Sequence, residues 1–169
     1  MSQFGTYFEE FEIGEIIYHQ TGKTIIESDN NLFCLLTMNH HPVHLNEEYA
    51  KKTQHGKILV VGTYVFSLVV GLTVSDISGK AIANLDYERI THNGPVFIGD
   101  TIYAETEILD TIESKSNSNR GIVYVETRAF NQHKEKILNF RRHILIPKKE
   151  MNNERLSIFN AKFNVCSWS

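Results

Sequence analysis

Residues 36–50 read LTMNHHPVHLNEEYA. Three histidines, His40, His41 and His44, share this stretch with Asn39, Asn46 and Pro42. Imidazole exchanges a proton near neutral pH and also ligates metals, so the segment is a proton-handling loop, a metal site or a solvated turn. Metal is the weaker reading. HHxxH puts its side chains in a Pro-bent loop, whereas HExxH sets two histidines on one helical face. No metal and no cofactor are therefore expected.

The elements that must hold this loop are legible on either side of it. Before it, ESDNNLFCLLTMN carries Leu32, Phe33, Leu35 and Leu36 as an apolar stripe at helical spacing. Ser28 or Asp29 can cap that helix, and it should end near Asn39, because Pro42 biases its predecessor away from helix. Cys34 belongs to the core. After the loop, NEEYAKKTQ forms a short helical turn that carries Tyr49 and Ala50 inward. HGKILVVGTYVFSLVVGLTVSD then stays apolar nearly all round, which predicts a buried central helix over about 61–74.

The second half changes character. AIANLDYERI, TIYAETEILDTIES, GIVYVETRAFNQ and KILNFRRHILIPK read as strands, with Val123 and Val125 alternating against Tyr124 and Glu126. SKSNSNRG and NQHKEK are the polar turns between them. The first segment, with its Gly-punctuated runs, reads as a loop and one or two strands. The pattern is α+β: a long central helix wrapped by an antiparallel β-sheet. It spans residues 1–149, and 150–169 form a C-terminal extension outside the strand pattern.

Composition narrows the class. Of 169 residues, 41% are hydrophobic and 22% charged, as in an ordinary globular domain. A formal net charge of -3 gives no electrostatic reason to expect nucleic acid or an anionic membrane as partner. Two cysteines, Cys34 and Cys166, are too few for a disulfide framework. No secretory signal is visible, and the longest apolar run is interrupted by Gly62, Thr63, Ser67 and Gly71, so a cytoplasmic protein is expected.

TMNHHPVHLNEEYA followed by HGKILVVG resembles the MaoC-like dehydratases, the (R)-specific enoyl-CoA hydratase family with the hot-dog fold. DNNLFCLLTMNHHPVHLNEEYA, AIANLDYERI, GPVFIGDTIYAETEI, RGIVYVETRAFNQ and FRRHILIPKK together resemble its itaconyl-CoA and mesaconyl-CoA hydratase-like subgroup. The resemblance covers roughly residues 7–149. It implies that Asn39 stands where the family has a catalytic Asp, with His44 on the catalytic His five positions later. Pro42 matches the signature proline, and His41 replaces its Asn. Gly62 falls where the family offers a backbone N–H to the thioester oxygen.

Adding water to a 2-enoyl thioester requires a base for the water, a proton for the α-carbon and donors for the charge that collects on the thioester oxygen. His44 can move the protons. A helix start at Gly62 offers a free N–H and the positive end of a dipole. An amide cannot take a proton, so Asn39 orients water or imidazole; Asp29 or Asp86 as a substitute carboxylate has no support from spacing. His41, Val61, Thr63 and Tyr64 are the expected substrate contacts, with Tyr64 and Phe66 shortening the acyl pocket. Arg141, Arg142, Lys148 and Lys149 are candidates for the CoA phosphates.

The expected partners are an acyl-CoA or acyl-carrier thioester, preferably short, branched or dicarboxylic, and a second copy of the chain, since a single hot-dog leaves a sheet edge open. Two other classes remain. A hot-dog thioesterase wants an acid on the central helix, and GTYVFSLVVGLTV has none. A non-catalytic acyl-CoA-binding protein would make Asn39 a mark of lost chemistry.

Overall fold

A computed structural model describes residues 4–115 and 117–149. The predicted extension, 150–169, lies outside the described residues. Seven strands form one antiparallel sheet: β1 (Ile16–Tyr18), β2 (Lys23–Thr24), β3 (Ala83–Asn84), β4 (Glu88–His92), β5 (Thr101–Glu113), β6 (Arg120–Phe130) and β7 (Lys136–Pro147). The order is β1-β5-β6-β7-β3, with β2 also on β5 and β4 also on β7. Period-two alternation builds it. Val123 and Val125 are fully buried, while Tyr124 faces the opposite side and stacks on His143 at 4.2 Å between ring centroids.

Among the described residues there are four α-helices: α1 (Glu27–Thr37), α2 (Pro42–Leu45), α3 (Glu47–Ala50) and α4 (Gly62–Leu72). The central helix, α4, lies against the inner face of the sheet. Val65 and Val69 are buried there with Ile102, Ala104, Ala129, Leu138 and Phe140. Each such valine is worth about 1.5–3 kcal/mol in removal from water. A second cluster, Phe8, Phe11, Ile108, Val123, Val125, Ile144 and Ile146, fills the far end. This is the expected wrapped-helix layout.

Three details differ from the sequence reading. The central helix is shorter than 61–74: Thr73 turns its hydroxyl back onto the Val70 carbonyl at 2.7 Å, and a π-helical turn, Val74–Ser78, follows. In α1 the leucine stripe is not the buried face. Asn30 and Cys34 are fully buried, whereas Leu32, Leu35 and Leu36 are exposed in the single chain. Tyr49 was expected inward with Ala50; Ala50 is buried, but successive residues of one helical turn face different ways, and Tyr49 is 45% exposed.

Helix α1 begins one turn before its cap side chain. The Asp29 carboxylate reaches back to the Ile26 N–H at 3.1 Å, and Met38 ends the helix in the left-handed region at φ 58°. No helix among the described residues is long and apolar enough to cross a membrane.

Candidate active site

His44 lies on α2, a single turn opened by Pro42 at its first helical position. His41 caps that turn: its Nδ1 accepts from the Val43 N–H at 3.2 Å. The His44 side chain points away from the loop, and its Nδ1 lies 2.7 Å from the Leu59 carbonyl oxygen. A carbonyl can only accept, so Nδ1 carries the hydrogen and the neutral ring keeps its lone pair on Nε2. The tautomer is therefore fixed with the basic nitrogen free.

Asn30 ties this loop to the central helix. Its side-chain N–H donates to the His44 carbonyl at 2.9 Å, and its amide oxygen accepts from the Val61 N–H at 3.0 Å. The residue is fully buried, so both bonds replace water that cannot reach it. Leu59 completes the frame, donating its N–H to the Val43 carbonyl at 3.2 Å and bridging to Phe97.

Beyond Val61, the first intrahelical bond of α4 runs from the Val65 N–H to the Val61 carbonyl at 3.1 Å. The N–H groups of Gly62, Thr63 and Tyr64 precede it and face outward along the helix axis, where the dipole is positive. Gly62 and His44 line one cavity of about 140 Å³, with Leu59, Val60, Val65, His92, Gly94, Pro95 and Val96. Its walls are mostly apolar, which strengthens any charge interaction inside. A Cβ on Gly62 would lie 3.0 Å from the His92 ring, a contact tight enough that the ring would have to shift by a few tenths of an ångström.

The structure thus brings together His44 and Gly62 out of the residues singled out from sequence. Asn39 is not in the cavity wall; its amide oxygen accepts from the His41 N–H at 3.4 Å and braces the loop. Val61 is buried under the helix start, and Thr63 is exposed on its outer side. Tyr64 sits against Phe33, ring centroids 5.4 Å apart. Burial, and then the neighbouring Asp29 carboxylate that takes its hydrogen bond, push the Tyr64 hydroxyl up to about 12. Phe66 packs edge-on against Tyr87 and Phe140 at 5.1 and 5.0 Å. Neither aromatic lines the cavity. Burial also pushes the Cys34 thiol up, which suits a core residue.

Among the cationic candidates the structure corrects Arg142. Arg142 is completely buried on the inner face of β7, donating to Thr73 Oγ1 at 2.7 Å and Asn84 Oδ1 at 2.9 Å, so it offers nothing to a phosphate in solvent. Desolvation lowers its pKa. Arg141 points to the other face and pairs with Glu126 at 2.5 Å. Lys148 pairs with Glu113 and Lys149 with Glu10, both at a distance from the His44 loop in the chain's opposite hairpin and amino-terminal turn. A neighbouring cleft of about 530 Å³ shares Gly94 and Pro95 with the cavity and carries Lys57, His133 and Lys136. Asp29 and Asp86 stand outside the cavity, paired with Lys23 at 2.8 Å and His143 at 3.0 Å. Among the described residues no three His, Cys, Asp or Glu side chains cluster as metal ligands do.

Sequence reasoning missed Asn30, Leu59 and His92. Asn30 carried a signal: it lies four residues before Cys34, on the same helical face, as a polar residue among core positions. Leu59 acts through its backbone and carries none. His92 lies in a strand whose pattern marks no functional side.

The architecture has counterparts. The MaoC-like domain model matches residues 9–129. A mesaconyl-CoA hydratase from Cereibacter sphaeroides is 34% identical over 86% of this chain and 42% of its own length. A MaoC domain protein from Chloroflexus aurantiacus superposes with a TM-score of 0.82 at 31% identity, over 86% of this chain and 41% of that one. A Mycobacterium tuberculosis protein described as a double hot-dog fold superposes at 0.79 over 86% of this chain and 45% of that one; its 18% identity supports the fold alone. The chain spans about two fifths of the length of the first curated relatives it matches. With most of its length covered by the family model, and with the wrapped-helix hot-dog fold, this chain belongs to the MaoC-like domain family.

Proposed function

We propose that the chain hydrates, or in reverse dehydrates, a 2-enoyl-CoA thioester with a short, branched or dicarboxylic acyl group. The observation that carries this reading is the His44–Leu59 hydrogen bond, which leaves a basic Nε2 on the ring that shares a cavity with the Gly62 helix start. Its relatives include proteins named as mesaconyl-CoA hydratase and β-methylmalyl-CoA dehydratase.

In this reading the thioester oxygen rests on the Gly62 N–H. Water adds to the β-carbon while His44 Nε2 takes its proton; charge collects on the thioester oxygen and is stabilised by that N–H and the helix dipole. The imidazolium then returns a proton to the α-carbon, which restores the neutral ring. Asn39, unable to ionise, braces the loop through the His41 N–H. His41, Val61, Thr63 and Tyr64 shape the approach from outside the cavity. In the neighbouring cleft Lys57 and Lys136 stand with His133 beside Asp100 and Glu135, and the two lysines are the cations proposed for the CoA phosphates.

A second copy of the chain completes the assembly in this proposal. Leu32, Leu35, Leu36 and Met38 form an exposed apolar face beside the loop, between 57% and 80% accessible in the single chain, which favours association. Thioesterase chemistry is disfavoured because α4, GTYVFSLVVGL, carries no acid.

A panel of CoA esters tests the reading. Loss of enoyl absorbance on a short or dicarboxylic substrate supports it. Release of free thiol points to a thioesterase, and saturable binding without turnover to a non-catalytic binding protein.

A further inference from the structure

His92 is an exposed residue at the end of β4, and its backbone is fixed by pairing with Leu138 on β7. The next residue, Asn93, donates its N–H to the Ile137 carbonyl at 2.9 Å, so the strand end is held in place. The ring lies over Gly62: a Cβ there would meet Cε1 at 3.0 Å, Nε2 at 3.1 Å and Nδ1 at 3.5 Å. The Cε1–Nε2 edge therefore faces the helix start. Among the described residues the ring makes no hydrogen bond. It also lines the cavity of His44 and Gly62.

An apolar ring would cover Gly62 as well as this one does. An imidazole at that place adds only what its nitrogens can do, and those nitrogens have no partner among the described residues. Asn39 removes the ionisable partner that the His44 loop would otherwise carry, which leaves His92 as the second titratable side chain on the cavity wall. We propose that His92 is a catalytic residue, whose Nε2–H is a second donor to the thioester oxygen beside the Gly62 N–H.

No proton is transferred by His92 in this role. It donates a hydrogen bond that shortens as charge moves onto the oxygen, and a donor of that kind acts on the transition state more than on the bound substrate. The proposal rests on the hydratase reading, in which negative charge develops on the thioester oxygen at Gly62.

Steady-state hydration of an enoyl-CoA, with the whole chain, tests it. His92→Phe should lower kcat by about 10²-fold, the usual effect of removing one such donor, with KM changed by no more than about 3-fold. His92→Gln keeps an N–H donor and should recover most of that loss. Unfolding midpoints within a few degrees of native check that both variants fold. Native turnover with full activity in His92→Phe overturns the assignment alone. His92→Gln as poor as His92→Phe also overturns it, because a group that must ionise would then be needed. A native protein that hydrates no enoyl-CoA removes both this assignment and the reading beneath it.

Discussion

Asn30 holds His44 from behind: the Asn30 side-chain N–H donates 2.9 Å to the His44 carbonyl, while its oxygen takes the Val61 N–H at 3.0 Å. One buried amide thus sets the distance between the loop that carries the imidazole and the helix that carries Gly62. Replacing it with Leu keeps the volume but orphans a carbonyl and an N–H. Asn30→Leu should cost about 2–4 kcal/mol of stability, read as a lower unfolding midpoint, and reduce turnover more than the stability loss explains. Native-like turnover in a folded Asn30→Leu protein contradicts this role.

Arg142 is a structural arginine. Arg142→Ala should destabilise by about 2–4 kcal/mol, through a cavity between the two core clusters and the loss of bonds to Thr73 and Asn84. The KM for a CoA ester should not move. Lys136→Ala should raise that KM by roughly 5-fold, worth about 1 kcal/mol, without changing stability. The reverse pattern would return Arg142 to the substrate.

Asp29 gives a pH test of the α1 start. The Lys23 ammonium, and the Ile26 N–H behind it, hold the Asp29 carboxyl below its ordinary value of 3.8, against the opposing effect of burial. A folded-state pKa below the unfolded one means that the charged carboxylate stabilises the fold at higher pH. That contribution is lost as pH falls through the folded value. Asp29→Asn should therefore cost about 0.5–1 kcal/mol near neutral pH, and the difference from native should close below about pH 4. A gap that stays constant down to acid-unfolding conditions rules this out.

Asn39→Asp tests what the amide does. Asn39 braces the loop through the His41 N–H, and a carboxylate can accept the same bond. Hydration by Asn39→Asp should persist or rise, while Asn39→Ala should lose less than His44→Ala. Collapse of activity in Asn39→Asp with the fold intact would mean that the amide N–H is indispensable.

Much of this was legible in the sequence, and the misses have physical causes. Alternation placed Val123 and Val125 inward and the long strands where they are, because one sheet face is buried along its length. His44 and Gly62 were singled out from their signature context and the helix start, and the fold sets both on one cavity wall. In FRRHILIP, parity decides between two adjacent arginines. Phe140, Ile144 and Ile146 are inward, so Arg142 is inward too, and solvation preference alone pointed the wrong way. The α1 leucines read as an apolar stripe, and periodicity reports such a face but not what covers it. The His44–Leu59 and Asn30 bonds depend on chain segments brought together only by folding, and strand patterning is silent on a side chain such as His92 at the mouth of a cavity.

In the proposed reaction His44, held by Leu59 with Nε2 free, moves the protons of enoyl-thioester hydration. The direct measurement is turnover of a short or dicarboxylic 2-enoyl-CoA, followed by its absorbance, for the native protein and His44→Ala at matched concentration and verified fold. The native protein should hydrate the substrate, and kcat should fall by roughly 10²–10⁴-fold in the variant. Near-native turnover in His44→Ala would contradict it and make the histidines of MNHHPVH structural.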